Sequence, residues 1–190
     1  MIFTYQITDT YTGRTIDYFL RQAGYSRRLI IDLKESPEGI LLNQERAFTN
    51  ALLKPGDILK IQLPKEEPSE HIAPKPLPFP IIYEDEHIIA LNKPADMPIH
   101  PSINNHENTL ANAAAYYFKQ QQIPFVFRCV NRLDRETSGL LIAAKDSRTA
   151  GEINKTLPEM LKRYMVLVHG IFPEEAVIAE GFLLADTDSS

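Results

Sequence analysis

The stretch Phe125-Val126-Phe127-Arg128-Cys129-Val130-Asn131-Arg132-Leu133-Asp134-Arg135-Glu136-Thr137-Ser138-Gly139-Leu140-Leu141-Ile142-Ala143-Ala144 decides how the rest of the chain is read. Its first six residues are β-favouring and mostly apolar, its middle is charged and hydroxyl-rich, and a second apolar run follows Gly139. Strand, polar loop, strand is an arrangement in which a scaffold fixes a loop that stays reachable, and reactive side chains concentrate on such loops. Asp134, between Arg132 and Arg135, is the carboxylate there that can serve as nucleophile or base. Taken alone, an aspartate in such a place is more often a turn or cap residue, so the surrounding chain has to carry the case.

That chain has 190 residues, enough for one domain with a sizeable core or one domain plus a small module. A hydrophobic share of 44% beside 24% charged residues is ordinary for a soluble protein. No apolar run approaches a membrane span, and the N-terminus lacks a signal-peptide pattern, so the expected compartment is the cytoplasm. The single cysteine, Cys129, allows no internal disulfide and supplies no metal cluster; in an apolar run it reads as core. A net charge of −5 lacks the basic footprint of most nucleic-acid binders, but the acidity is uneven. Residues 1–64 carry a net +1 and residues 80–190 a net −5, with Arg21, Arg27, Arg28 and Lys34 gathered near the start.

Outward from the loop, residues 81–85 and 87–93 read as a β-hairpin around Glu86, followed by a proline-punctuated loop from 93 to 101. Leu110, Ala113, Ala114 and Tyr117 recur at helical spacing, with Asn108 or Thr109 as the cap. Asp146 or Ser147 caps another helix running to Leu157, and alternation over residues 160–170 predicts a strand. Near the N-terminus, residues 1–10 read as a strand. Ile16, Phe19, Leu20 and Ala23 give a helix stopped by Gly24. Ser26 caps a second helix with Leu29, Ile30 and Leu33 inward and Arg27, Arg28 and Lys34 outward. Residues 39–43 and 58–63 read as strands, the latter after a Pro55-Gly56-Asp57 turn. Between the two halves, residues 64–80 hold six prolines and read as an extended, semi-rigid linker. Interleaved helices and strands make the class α+β or mixed α/β, with α+β the expectation, divided into 1–63, 64–80 and 81–190.

Residues 12–63 resemble the S4-type RNA-binding module: two short helices, a basic second helix opening at Ser26-Arg27, and a closing strand Gly56-Asp57-Ile58-Leu59-Lys60-Ile61. The resemblance implies that Arg27, Arg28 and Lys34 meet RNA; from the charges alone they are a solvated helix face. The module's usual V-x-V-N-G turn is here Ile40-Leu41-Leu42-Asn43-Gln44, without the glycine.

Residues 131–141 resemble the H-R-L-D-x-x-T-S-G-L-L signature of RluA-type pseudouridine synthases. Tyr83-Glu84-Asp85, Asn92-Lys93-Pro94-Ala95, His100-Pro101, Lys162-Arg163-Tyr164 and Val168-His169-Gly170 resemble further pieces in the family's order. The resemblance implies an S4-like module followed by a mixed, mainly antiparallel catalytic sheet with flanking helices. It also implies isomerisation of uridine in structured RNA, ribosomal or transfer, without metal or cofactor. Asp134 becomes the catalytic carboxylate. Tyr164 is the aromatic that stacks on the flipped uracil and relays a proton, and Arg132 enters the space the base leaves. Thr137 and Ser138 tie the loop through their hydroxyls, while His100 and His169 are structural.

Three departures qualify this. Asn131 stands for the signature's histidine. Asp96 stands for the glycine of K-P-A-G, at a position aspartate can occupy with φ > 0. Nothing matches the family's later H-Q-I-R-like segment, whose arginine pairs with the catalytic carboxylate. The expectation is therefore a truncated catalytic domain over 81–190 with weak or no activity alone. It would have a frayed tail at 185–190 and a sheet edge that a partner or oligomer has to cover. The alternatives are a non-catalytic RNA-binding protein, or a relic whose role is to hold a protein partner.

Overall fold

Local sequence signals build the elements, and their apolar faces place them in two sheets. The computed structural model describes residues 1–67, 71–103 and 105–170, and the chain divides into two units, Met1–Met160 and Leu161–Ser190. In the first unit, β1 (Ile2–Gln6), β2 (Ile40–Leu42), β3 (Glu45–Arg46) and β4 (Ile58–Gln62) form a sheet of order β1-β4-β2-β3. A second sheet, β5 (Ile81–Glu84), β6 (Ile88–Lys93), β7 (Arg128–Cys129) and β8 (Gly139–Ala144), has the order β5-β6-β8-β7. Every named pairing is antiparallel. Helices α1 (Ile16–Gln22) and α2 (Arg27–Glu35) accompany the first sheet, α3 (Leu110–Gln120) and α4 (Ser147–Thr156) the second. The α+β class expected from the sequence is what the chain adopts. Among the described residues no helix is long and apolar enough to cross a membrane.

The caps fall on the residue types that can make them. Thr15, Ser26, Thr109 and Asp146 each accept, through the side chain, a backbone N–H of the first turn of α1, α2, α3 and α4. Gly24, at φ +90, ends α1 as its spacing predicts. Ile16, Phe19 and Leu20 of α1 and Leu29, Ile30 and Leu33 of α2 then pack with Leu59 and Ile61 of β4 into the first core. In the second core Leu110, Ala111, Ala114 and Phe118 of α3 meet Ile89 and Leu91 of β6 and Leu141 and Ala143 of β8.

The turn between β2 and β3 shows what the missing glycine does. Leu42 pairs with Glu45, so Asn43 and Gln44 are the two central residues, at φ 52 and 74. Positive φ at both is the type I′ geometry whose second position favours glycine. Asn43 tolerates it and is held further: its Nδ2 donates to Asp57 Oδ1 at 2.9 Å and its Oδ1 accepts from the Ile58 N–H at 2.9 Å. Gln44 has no such tie among the described hydrogen bonds and bears the steric cost. Replacing Gln44 by Gly is expected to raise the unfolding free energy by about 0.5–1 kcal/mol, read from the midpoint of a denaturant titration at unchanged slope.

The strand expected over residues 1–10 spans only Ile2–Gln6, with a 3-10 turn at Asp9–Tyr11 beyond it, and two further expected strands are shorter or absent for one reason. The run 125–130 yields only Arg128–Cys129 as β7, because Arg128 pairs with Ala144, the last residue of β8, and among the described residues no strand continues beyond it for residues 125–127 to pair with. Phe125 and Phe127 are buried instead, Phe125 stacked on Phe118 with ring centroids 3.8 Å apart. Residues 160–170, predicted as a strand, are not in one. Alternation makes a strand only where a neighbour supplies the ladder, and no described residue does so. The frayed tail expected at 185–190 lies outside the described residues.

Residues 71–80 enter neither helix nor strand, yet they are not a free spacer. Ile72, Leu77 and Phe79 pack on the second core, Asn112 Nδ2 donates to the Ala73 carbonyl at 2.8 Å, and the Lys75 N–H donates to the Asn112 carbonyl at 3.1 Å. Within the same unit, α1 and α4 touch backbone to backbone. A Cβ built on Gly151 collides with the Gly24 carbonyl oxygen, and one on Gly24 lies 2.9 Å from the Glu152 nitrogen. Around this contact Phe3 stacks on His87 at 5.9 Å, the Arg148 guanidinium sits 5.1 Å from the Phe3 ring centroid, and Lys155 Nζ donates to the Arg21 and Gln22 carbonyls.

Candidate active site

The sheet register brings the two loops of interest to one end. β6 and β8 pair from Ile88 with Ala144 through Lys93 with Gly139. The loop leaving β6 at Lys93 and the loop entering β8 at Gly139 therefore emerge side by side. Gly139 has φ +129, a backbone geometry that side chains resist, and it lets the loop turn into the strand.

Asn131 fixes the loop at its start. The Val130 N–H donates to the Ile142 carbonyl at 2.9 Å. One residue later the ladder is continued by a side chain: Asn131 Oδ1 accepts from the Ile142 N–H at 2.8 Å and its Nδ2 donates to the Leu140 carbonyl at 3.1 Å. The amide thus takes the place of a peptide unit in a strand that has already bent away. The substitution for histidine in the signature has a structural job here.

Asp134 opens the next turn. Its carbonyl accepts from the Thr137 N–H at 3.1 Å, which closes a four-residue turn, and its carboxylate is exposed. Thr137 is half-buried, with its backbone rather than its hydroxyl making this bond. Arg132 is exposed, and its positive charge adds to burial in lowering the pKa of His100, whose ring lies 5.7 Å from that of Phe127. Cys129 is partly buried and packs against the second core, and burial pushes its thiol up to about 12.

The two arginines beside Asp134 differ in what they hold. Arg135 Nε donates to Asp96 Oδ1 at 2.7 Å and Nη2 lies 2.5 Å from the same oxygen. Asp96 has φ 63, the positive value foreseen for it. Arg135 is thereby committed to the 93–101 loop, while among the described residues no ion pair engages Arg132.

Lys93 is the residue that the sequence reading passed over. It is 0% exposed, and its ammonium donates at 2.9 Å to each of three carbonyls: Pro94 and Met97 in its own loop and Arg135 in the Asp134 turn. The signal was present. Ile89, Leu91 and Lys93 alternate along β6, so the lysine falls on the buried face. Burial lowers its pKa below the ordinary 10.5, while the charges of Glu136, Asp134 and Asp96 partly oppose the shift. Between its folded value and 10.5 the unfolded chain holds the extra proton, so stability rises with pH there. A denaturant series on the alkaline side up to pH 10.5 is expected to show that rise in the wild type and to lose this component in Lys93→Met.

The remaining site candidates belong to other segments of the chain. Arg27, Arg28 and Lys34 are exposed on α2, with Arg28 paired to Asp32 at 3.1 Å. Tyr164 is 62% exposed and belongs to the unit Leu161–Ser190. Among the described residues no His, Cys, Asp and Glu group could hold a metal ion.

Comparison with known proteins gives this loop a family. The chain is 30% identical over 158 residues to the Bacillus subtilis RNA pseudouridine synthase YjbO, covering 82% of this chain and 56% of that protein. It is 32% identical over 174 residues to the mitochondrial tRNA pseudouridine(32) synthase of Saccharomyces cerevisiae, covering 88% and 35%. The solved structure of human RNA Pseudouridylate Synthase Domain Containing 1 aligns at TM-score 0.34 and 27% identity, over 43% of this chain and 28% of that one. The chain spans about half the length of the curated relatives it matches, or less. The sequence profile described as RNA pseudouridylate synthase matches residues 87–187, which takes in β6, the Lys93 and Asp134 loops, β8 and Tyr164. This chain belongs to the RNA pseudouridylate synthase family, in its RluA-type branch.

Proposed function

We propose that the chain acts on structured RNA as a uridine-to-pseudouridine isomerase, with Asp134 as its catalytic carboxylate. The observation that carries the reading is an exposed carboxylate in a turn braced from both sides, by Asn131 on the ladder of β8 and by Lys93 and Asp96 of the neighbouring loop, which hold Arg135. The reaction breaks the C1′–N1 bond, turns the uracil, and joins C1′ to C5; the proton leaves C5 and N1 gains one. Atoms balance with no redox step, which is chemistry a single carboxylate can initiate as nucleophile at the sugar or as base. A duplexed target has to leave its stack first, and Arg132 stands exposed two residues before Asp134 to occupy the gap. Tyr164 is assigned to stacking on the flipped uracil.

Residues 1–63 serve in this reading as an S4-like module that docks RNA. Supporting it are the Ser26-capped α2 with Arg27 and Lys34 free at its surface and the Asp57 carboxylate that locks the turn of β2 and β3. Ribosomal and transfer RNA are the substrate class, since relatives named for both align with the chain.

The test uses RNA labelled with tritium at uridine C5. Isomerisation releases that label to water; slow release by the 190-residue chain, above an RNA-only control, is expected. RNA that binds the chain but never loses tritium would overturn catalysis and leave a binding protein.

A further inference from the structure

We propose that Lys93 is a positioning residue, whose ammonium fixes the backbone of the Asp134 turn by holding the Arg135 carbonyl together with those of Pro94 and Met97. As to what the positioned turn is for, the inference rests on the function proposed above; the clamp itself does not.

A buried lysine is expensive, and most are satisfied by a carboxylate. Lys93 is satisfied by carbonyls alone: three bonds of 2.9 Å match its three protons. Two of those carbonyls belong to the loop that the lysine itself begins, and local turn geometry could have satisfied them. The third is 42 residues away, on the residue next to Asp134. It makes the ammonium a cross-loop tie rather than a loop filler. Glu136, Asp134 and Asp96 surround it at longer range and favour the charged form, so the cation is also the local counter-charge of an acidic rim. Asp134 itself remains exposed and unpaired by a described hydrogen bond of its side chain, so the turn is set through its main chain. The Arg135–Asp96 pair repeats the tie on the surface, where both side chains are more than half exposed and water screens the attraction. The buried tie is the stronger of the two.

Amide hydrogen exchange on the intact chain reads this without any need for turnover. In the wild type the Thr137 N–H is expected to be protected although residues 134–136 are exposed; an unprotected Thr137 would overturn the clamp. In Lys93→Met the Thr137 amide is expected to exchange about 10-fold faster or more, the effect of losing one buried charged hydrogen bond. The Leu91 and Leu141 amides of the paired strands should stay within about 2-fold. Acceleration of Thr137 and the strand amides by the same factor would make Lys93 a general stability residue and sink the proposal. Lys93→Gln, which retains donors without charge, carries the same comparison should the methionine variant not fold. In the tritium assay both variants are expected to lower kcat with KM unchanged. A wild-type chain without tritium release defeats the functional reading, while the exchange data still decide the clamp.

Discussion

Asp134→Asn is expected to lower tritium release from C5-labelled RNA by about 10²–10⁴-fold, with RNA affinity held within about twofold. The amide is nearly isosteric, the side chain is exposed, and the turn is closed by the Asp134 carbonyl, so the fold has no reason to respond. What changes is chemistry: an amide can neither attack C1′ nor remove a sugar proton. Single-turnover rates and filter-binding affinities measured side by side check both halves. An Asn variant that releases tritium at the wild-type rate would remove Asp134 from the reaction. Equal loss of binding would instead make it an RNA contact.

Gly151→Ala is expected to destabilise the chain by about 1–3 kcal/mol, against the trend for a helix interior. Gly151 lies in the middle of α4, where propensity alone awards alanine about 1 kcal/mol. The added methyl, however, meets the Gly24 carbonyl oxygen, part of a backbone that cannot rotate aside. Gly24 is itself pinned at φ +90 as the stop of α1 and abuts the Glu152 backbone. Propensity and contact thus predict opposite signs, and a denaturant midpoint decides between them. A stabilised variant would show that the two helices separate at little cost.

Much of the architecture was legible because it depends on short-range rules. Ser26, Thr109 and Asp146 announce their helices as caps, Gly24 announces an end, and Asp96 fits the positive φ that its place in K-P-A-D demands. The short β7 was not legible, because it is fixed by where β8 stops, a fact about another segment. The same holds for residues 161–168, whose alternation meets no described neighbour. At the site, the motif exposed Asp134, Arg132 and Thr137 but not their support. Within the Asn92-Lys93-Pro94-Ala95 match nothing singles out Lys93; its register on β6, which points it inward, is what marks it. That Asn131 stands for the signature's histidine gives no hint of its part in the ladder, because a side chain standing in a ladder leaves no periodic trace.

The reach of the Lys93 tie also bears on how the chain comes to be folded. A turn of four residues could form within microseconds on its own, but this one is held by a bond spanning 42 positions. Closing that span carries a loop entropy of about (3/2)RT ln n, which β6 and β8 must offset before the ammonium meets its third carbonyl. The Asp134 turn is therefore expected to take its final geometry late, after the sheet that carries it has zipped together. A nascent or partly unfolded chain would display Asp134 without being able to aim it.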